Sequence, residues 1–212
     1  MTQTDSLYEQ FGPLTQVNKL RFVDWFSGDV INAFKWDTFF AGSAGVVSMG
    51  DVQNGGLNIA SNTSSGTRTG VNWGDGTLLP FDEDACTVIG VCSRNTANTQ
   101  CFCGLSDSDT LFTGAHTAGY LDDTGFGLRK QIITMDSSTL SGTDTPIDRN
   151  LDMTHFKMTC KPTEIDMEIN NILYITKTTN IPTALMAPSL AIRNATAGIK
   201  NNSYTYYEVF NT

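Results

Sequence analysis

The sequence predicts an all-β protein, two antiparallel sheets packed face to face, and three observations predict it. Thr occurs 29 times, Asn 16 and Ser 15 in 212 residues, whereas Asp, Glu, Lys and Arg make up only 17%. Helix surfaces are usually built from charged straight-chain residues, while strands and turns favour Thr, aromatics, Asn and Gly. Short runs with apolar residues at alternate positions recur, separated by clusters of Gly, Asn, Asp and Ser, which is the rhythm of a sandwich or barrel. No repeat, linker or low-complexity block interrupts it, so residues 20–212 read as one domain behind an arm over residues 1–19. A domain of that length buries a sizeable core without metal or disulfide staples.

The arm is polar and irregular, with Leu7, Tyr8, Phe11 and Leu14 as anchors, and reads as a segment held by a neighbouring subunit. Strands are then expected at Leu20–Phe26, Phe34–Phe40, Gly45–Met49, Gly56–Ala60 and Arg68–Asn72. They continue at Ala85–Cys92, Gln100–Leu105 and Phe126–Met135. Short helical turns fit only Ala115–Gly119 and the stretch near Thr183–Met186.

The clearest unit runs from His155 to Lys177. In HFKMTCK, Phe156, Met158 and Cys160 share one face, and Lys157 and Thr159 the other. Pro162 and Thr163 turn the chain into EIDMEI, where Ile165, Met167 and Ile169 alternate with Glu164, Asp166 and Glu168. Asn170 and Asn171, both tolerant of positive φ, make a tight turn into the strand Ile172–Lys177. The result is a three-strand meander with one apolar and one charged face. Strands at Leu190–Arg193 and Tyr204–Phe210 complete the series.

A net charge of −9 disfavours nucleic acid as a main partner, because an acidic surface repels phosphates. No basic patch fits an anionic membrane, and no apolar run approaches the ~18 residues that span one. Residues 1–10 lack the pattern of a secretory signal, so synthesis in a host cytoplasm is expected. The sequons at Asn62, Asn194 and Asn201 then carry little weight. Cys86, Cys92, Cys101, Cys103 and Cys160 are an odd number with no CxxC pair, which points to buried reduced thiols rather than disulfides or zinc.

Several segments resemble the concanavalin A-like lectin and glucanase superfamily. An early FVDWFSGD…FKWDTFF is followed by GGLNIAS; Thr87–Cys92 leads to CFCGLSD; a late meander starts at His155; and SYTYYEVF ends the chain. Together they cover roughly residues 20–210. The resemblance implies a jelly-roll sandwich, a fold that hosts lectins, glycosidases, lyases, adhesion modules and phage structural proteins.

Within that resemblance, Glu164-x-Asp166-x-Glu168 is similar to the E-x-D-x-E motif of laminarinase-type glycoside hydrolases. It implies Glu164 as nucleophile, Asp166 as assistant and Glu168 as acid/base. In those enzymes the motif lies mid-chain, whereas only 44 residues follow Glu168 here, and no Trp lies near it in sequence. A solvated acidic face is therefore the expectation, and no catalytic residue is assigned. His116, in a Gly/Thr/Ala loop, and His155, at a strand start, read as surface or structural groups. No metal is assigned, although Asp75, Asp82, Glu83, Asp84, Asp107, Asp109, Asp122 and Asp123 in or beside loops are oxygen ligands that suit Ca²⁺. Trp73, with Asp75 in the same VNWGDG loop, is the weak candidate for a ligand-binding aromatic; Trp25 and Trp36, among apolar neighbours, read as core.

These observations lead to the expectation of a non-enzymatic, capsid-decorating structural protein on a virion surface. Its partners would be other virion subunits, further copies of itself and host-surface glycans, with no nucleic acid or membrane insertion. The alternatives are a glycan-binding lectin-like module and a glycoside hydrolase using Glu164, Asp166 and Glu168.

Overall fold

The computed structural model describes residues 21–27, 30–50, 56–73, 86–94, 99–107, 116–123, 129–137, 139–148, 153–184 and 186–211. The arm expected over residues 1–19 lies outside them. Fifteen strands are present among the described residues, and no helix. The first seven are β1 Arg21–Asp24, β2 Asp37–Ala41, β3 Val46–Met49, β4 Leu57–Ala60, β5 Arg68–Asn72, β6 Cys86–Arg94 and β7 Thr99–Ser106. The rest are β8 Thr117–Asp123, β9 Arg129–Asp136, β10 Thr139–Asp148, β11 Thr154–Cys160, β12 Ile165–Ile169, β13 Ile172–Lys177, β14 Ala187–Asn194 and β15 Asn201–Asn211.

They form two antiparallel sheets. Sheet A runs β13-β12-β11-β6-β15-β4-β3, with β1 also paired to β15; sheet B runs β10-β9-β8-β7-β14-β5-β2. The alternation in the meander acts as the sequence demands. Phe156, Met158, Cys160, Ile165, Met167 and Ile169 are all buried, while Lys157, Thr159, Asp166 and Glu168 are not. Asn170 and Asn171 take φ of 52° and 65°, as their turn requires.

The core fills the space between the sheets. Phe156 stacks on Tyr120 across it, with ring centroids 5.0 Å apart; truncating such a buried Phe to Ala costs about 3–5 kcal/mol. Tyrosine hydroxyls from β15 cross to the other sheet: Tyr207 donates to the Gly104 carbonyl at 2.6 Å, and the Tyr204 oxygen lies 2.8 Å from the Ala191 carbonyl. All five cysteines are buried, and none is in a disulfide. A second apolar cluster, Phe39, Phe102, Leu121, Ile133 and Ala191, occupies the other face of sheet B.

Two elements differ from expectation. The segment read as a helical turn from Ala115 contains the first residues of β8. Its small residues have a steric reason, since a Cβ on Gly119 would lie 2.4 Å from the Phe102 ring. The described residues near Thr183–Met186 likewise contain no helical turn. β10 carries no apolar alternation because it is an edge strand pairing only with β9, where Pro146 is tolerated.

A bulge in β15 matters for the outer surface. Tyr204 pairs with Cys92 and Tyr206 with Val91, leaving Thr205 as the extra residue. The bulge resets alternation, so Tyr204, Tyr207 and Val209 all face the core while Tyr206 and Glu208 point outward.

Candidate functional site

The outer face of sheet A gathers the carboxylates singled out in the sequence. Strand register aligns Glu168, Lys157, Ile89, Glu208 and Val23 in one row, and Asp166, Thr159, Thr87, Phe210 and Arg21 in the next. Glu164 precedes β12 at its Asp166 end. At strand spacings of ~4.8 Å, Glu168 and Glu208 stand about 14 Å apart across β11 and β6.

The three carboxylates are half-buried, and each is paired with a lysine. Lys161 Nζ bridges two of them, donating to Glu164 Oε1 at 2.6 Å and to Asp166 Oδ2 at 3.0 Å. Thr176 Oγ1, on the neighbouring β13, donates to Asp166 Oδ1 at 2.5 Å. Lys157 Nζ donates to Glu168 Oε1 at 2.9 Å. Burial alone would raise the Asp166 carboxyl, but the hydrogen bonds from Thr176 and Lys161 outweigh it and hold the group below its ordinary value. The bonds that Lys161 donates to Glu164 and Asp166 raise its own ammonium. Asp166 is thus held ionised between a cation and a hydroxyl.

At the other end of the face stands an aromatic pair that the sequence reading placed wrongly. Trp25, expected in the core, is 62% exposed, while Trp36 is buried as expected. The Trp25 ring packs on Tyr206 with centroids 4.3 Å apart. Tyr206 donates its hydroxyl to Glu208 Oε2, and Arg21 Nε donates to Glu208 Oε1 at 2.8 Å. Burial, then the bond to Glu208, pushes the Tyr206 phenol well above its ordinary value. The missed signal was parity: Phe22 and Phe26 are buried, so Trp25 shares the phase of exposed Arg21. The bulge that turns Tyr206 outward left no such signal.

Beside Trp25 is an open pocket of about 200 Å³ whose lining includes Asp24, Val30, Asn32, Lys35 and Trp36. Asp24 is fixed there, accepting from Trp36 Nε1 and from the Phe26 amide, each at 2.8 Å. Lys35 Nζ donates to the Val23 carbonyl at 2.9 Å.

The remaining candidates fall elsewhere. Trp73 is half-buried, its ring 4.7 Å from that of Phe22, and Asp75 lies outside the described residues. His116 is clamped at both ring nitrogens, by Asp107 at 2.9 Å and Asp136 at 3.2 Å, which ties together residues at the ends of β7, β8 and β9. His155 is a half-buried residue of β11. Of the acidic residues considered for Ca²⁺, Asp75, Asp82, Glu83, Asp84 and Asp109 lie outside the described residues. Asp107 is paired with His116, and Asp122 lies 3.8 Å from buried Lys130. Among the described residues no three acidic, His or Cys side chains stand together to hold a metal, and no helix is long and apolar enough to cross a membrane.

No protein-family model matches the chain, and no curated protein matches it. Solved structures do. A β-1,3-glucanase from Mycobacterium marinum is similar over 89% of this chain and 97% of its own, at TM-score 0.64 and 10% identity. The Bacillus licheniformis β-glucanase is similar over 91% and 97%, at TM-score 0.63 and 10% identity. The Crh5 transglycosylase is similar over 91% and 84%, at TM-score 0.66 and 12% identity. These neighbours correct the expectation of a non-enzymatic virion-decorating protein. All three are enzymes, and the capsid reading finds no counterpart among them. The expectation rested on composition, which a jelly-roll enzyme and a jelly-roll structural protein share. Two antiparallel sheets in this order, matched over nine-tenths of the chain, give this protein the concanavalin A-like jelly-roll fold of the β-glucanases.

Proposed function

We propose that this chain is a glycoside hydrolase acting on a β-linked polysaccharide, with Glu164, Asp166 and Glu168 as its working carboxylates. The observation that carries the reading is the row itself, three acids gathered on one sheet face at the start of and along β12. The glucanase-like fold supports the substrate class. Glu164, ionised against Lys161, attacks the anomeric carbon as the glycosidic bond breaks, and Glu168 gives its proton to the leaving oxygen. Water then loses a proton to Glu168 and displaces Glu164, freeing the sugar. Asp166 stays charged throughout and orients Lys161. For Glu168 to carry a proton, Lys157 must leave it for the substrate; that side chain is 37% exposed.

A second reading, glycan binding without cleavage, is favoured by that same lysine pairing, which suits charge neutralisation better than proton transfer. One assay separates them. Wild-type protein is expected to release reducing ends from at least one of laminarin, mixed-linkage β-glucan and a β-galactan, and Glu164→Gln to lose about 100-fold or more in kcat, the scale of losing a nucleophile. Retention of full activity in the variant overturns the assignment. Silence of the wild type on all three substrates, with binding retained, favours the second reading.

A further inference from the structure

We infer that Trp25 and Tyr206 form a sugar-stacking subsite, with the adjoining pocket taking the polar edge of the same pyranose unit. The ligand class rests on the glycan-directed reading above; the site does not depend on whether cleavage follows. Trp25 leaves most of a large apolar ring in water, at 62% exposure, although a core lies directly behind it. A side chain of that kind is usually withdrawn or covered unless it meets a ligand.

The pair is also held in place. Tyr206 is pinned by its bond to Glu208, whose carboxylate is 9% exposed and is itself fixed by Arg21. Phe26, immediately after Trp25, takes φ of 46°, and its amide is held by Asp24 Oδ1 at 2.8 Å. The backbone beneath the indole is therefore set by specific bonds, which preorganises the ring. A pyranose presents an apolar face of C–H groups and an equatorial rim of hydroxyls. The first matches the indole. The second matches Lys35, Asn32 and Asp24, the polar groups lining the pocket of about 200 Å³ beside it.

Position links this subsite to the carboxylate row. Tyr206 pairs with Val91, which pairs with His155 on β11, so the aromatic pair lies on the same outer face as Lys157 and Glu168. The strands between them put Tyr206 about 14 Å, and Trp25 just after β1 about 19 Å, from Glu168 across the sheet, a span of several sugar units for a chain laid across it. Neither reading of the row requires such a platform, and a hydrolase could use it to retain polymer while short substrates bypass it.

Affinity electrophoresis in laminarin, mixed-linkage β-glucan or β-galactan gels tests the inference. The wild type and Glu164→Gln are expected to be retarded in the same gel, with Trp25→Ala weakened about tenfold and Trp25→Phe weakened less, the scale of one aromatic stack. Trp25 is exposed, so its truncation leaves the core intact, and matching thermal melts check this. Retardation of Trp25→Ala equal to wild type overturns the subsite, as does absence of retardation of the wild type in all three gels. The hydrolase reading fails differently, through unchanged turnover in Glu164→Gln.

Discussion

Asp166 is held by two donors on the outer face of sheet A. Lys161 and Thr176 both donate to it, and together they outweigh the upward push of burial. Its carboxyl titrates below the ordinary value near 3.8, so the sign of its linkage is fixed. The stabilisation is fully present above the unfolded-state value and is lost as pH falls through the depressed folded one. Urea melts between pH 7 and pH 2 are expected to show a steeper acid loss for wild type than for Asp166→Asn. Equal slopes would mean that the bonds to Lys161 and Thr176 contribute nothing to folding. The sequence made the row visible, because alternation in EIDMEI allows only one outward set. Lysine partners at positions 157 and 161 were also legible as outward residues of β11 and its turn. The contact from Thr176 was not, because it depends on the strand following a turn and on a register shift between Met167 and Glu168.

At the scale of elements, the turn at Asn170 and Asn171 shows what local chemistry decides. Both residues are exposed and left-handed, so their role is in the backbone rather than in packing. Asn171→Val is expected to cost about 1–2 kcal/mol, the penalty for a branched residue forced to positive φ, while Asn171→Gly holds or raises the melting temperature. Equal stability of the two variants would place the turn's geometry elsewhere. Strands with strong alternation, such as β11 and β12, could be read directly. β8 could not, because its Gly119 is dictated by the Phe102 ring of the neighbouring strand, a tertiary demand that looks like weak strand propensity in sequence. β10, whose outer edge has no strand partner among the described residues, shows only polar alternation. The bulge at Thr205 escaped for the same reason: it is a property of the pairing with β6, and it decides that Tyr206 points outward.

For the whole molecule, composition and hydrophobic rhythm were enough for the fold but not for the role. Thr-, Asn- and Gly-rich sandwiches serve structural proteins and enzymes alike, and the glucanase-like neighbours displaced the virion reading that composition favoured. What remains specific to this chain is the outer face of sheet A, with an organised carboxylate row on one side and a pinned aromatic pair on the other. The proposed hydrolase activity places polysaccharide cleavage on this face. It is tested most directly by trapping the glycosyl-enzyme with a 2-fluoro-glucosyl or 2-fluoro-galactosyl donor and mapping the modified peptide by mass spectrometry. One sugar esterified to Glu164, absent from Glu164→Gln, is expected; an adduct on a different residue, or none in the wild type with either donor, overturns the hydrolase assignment.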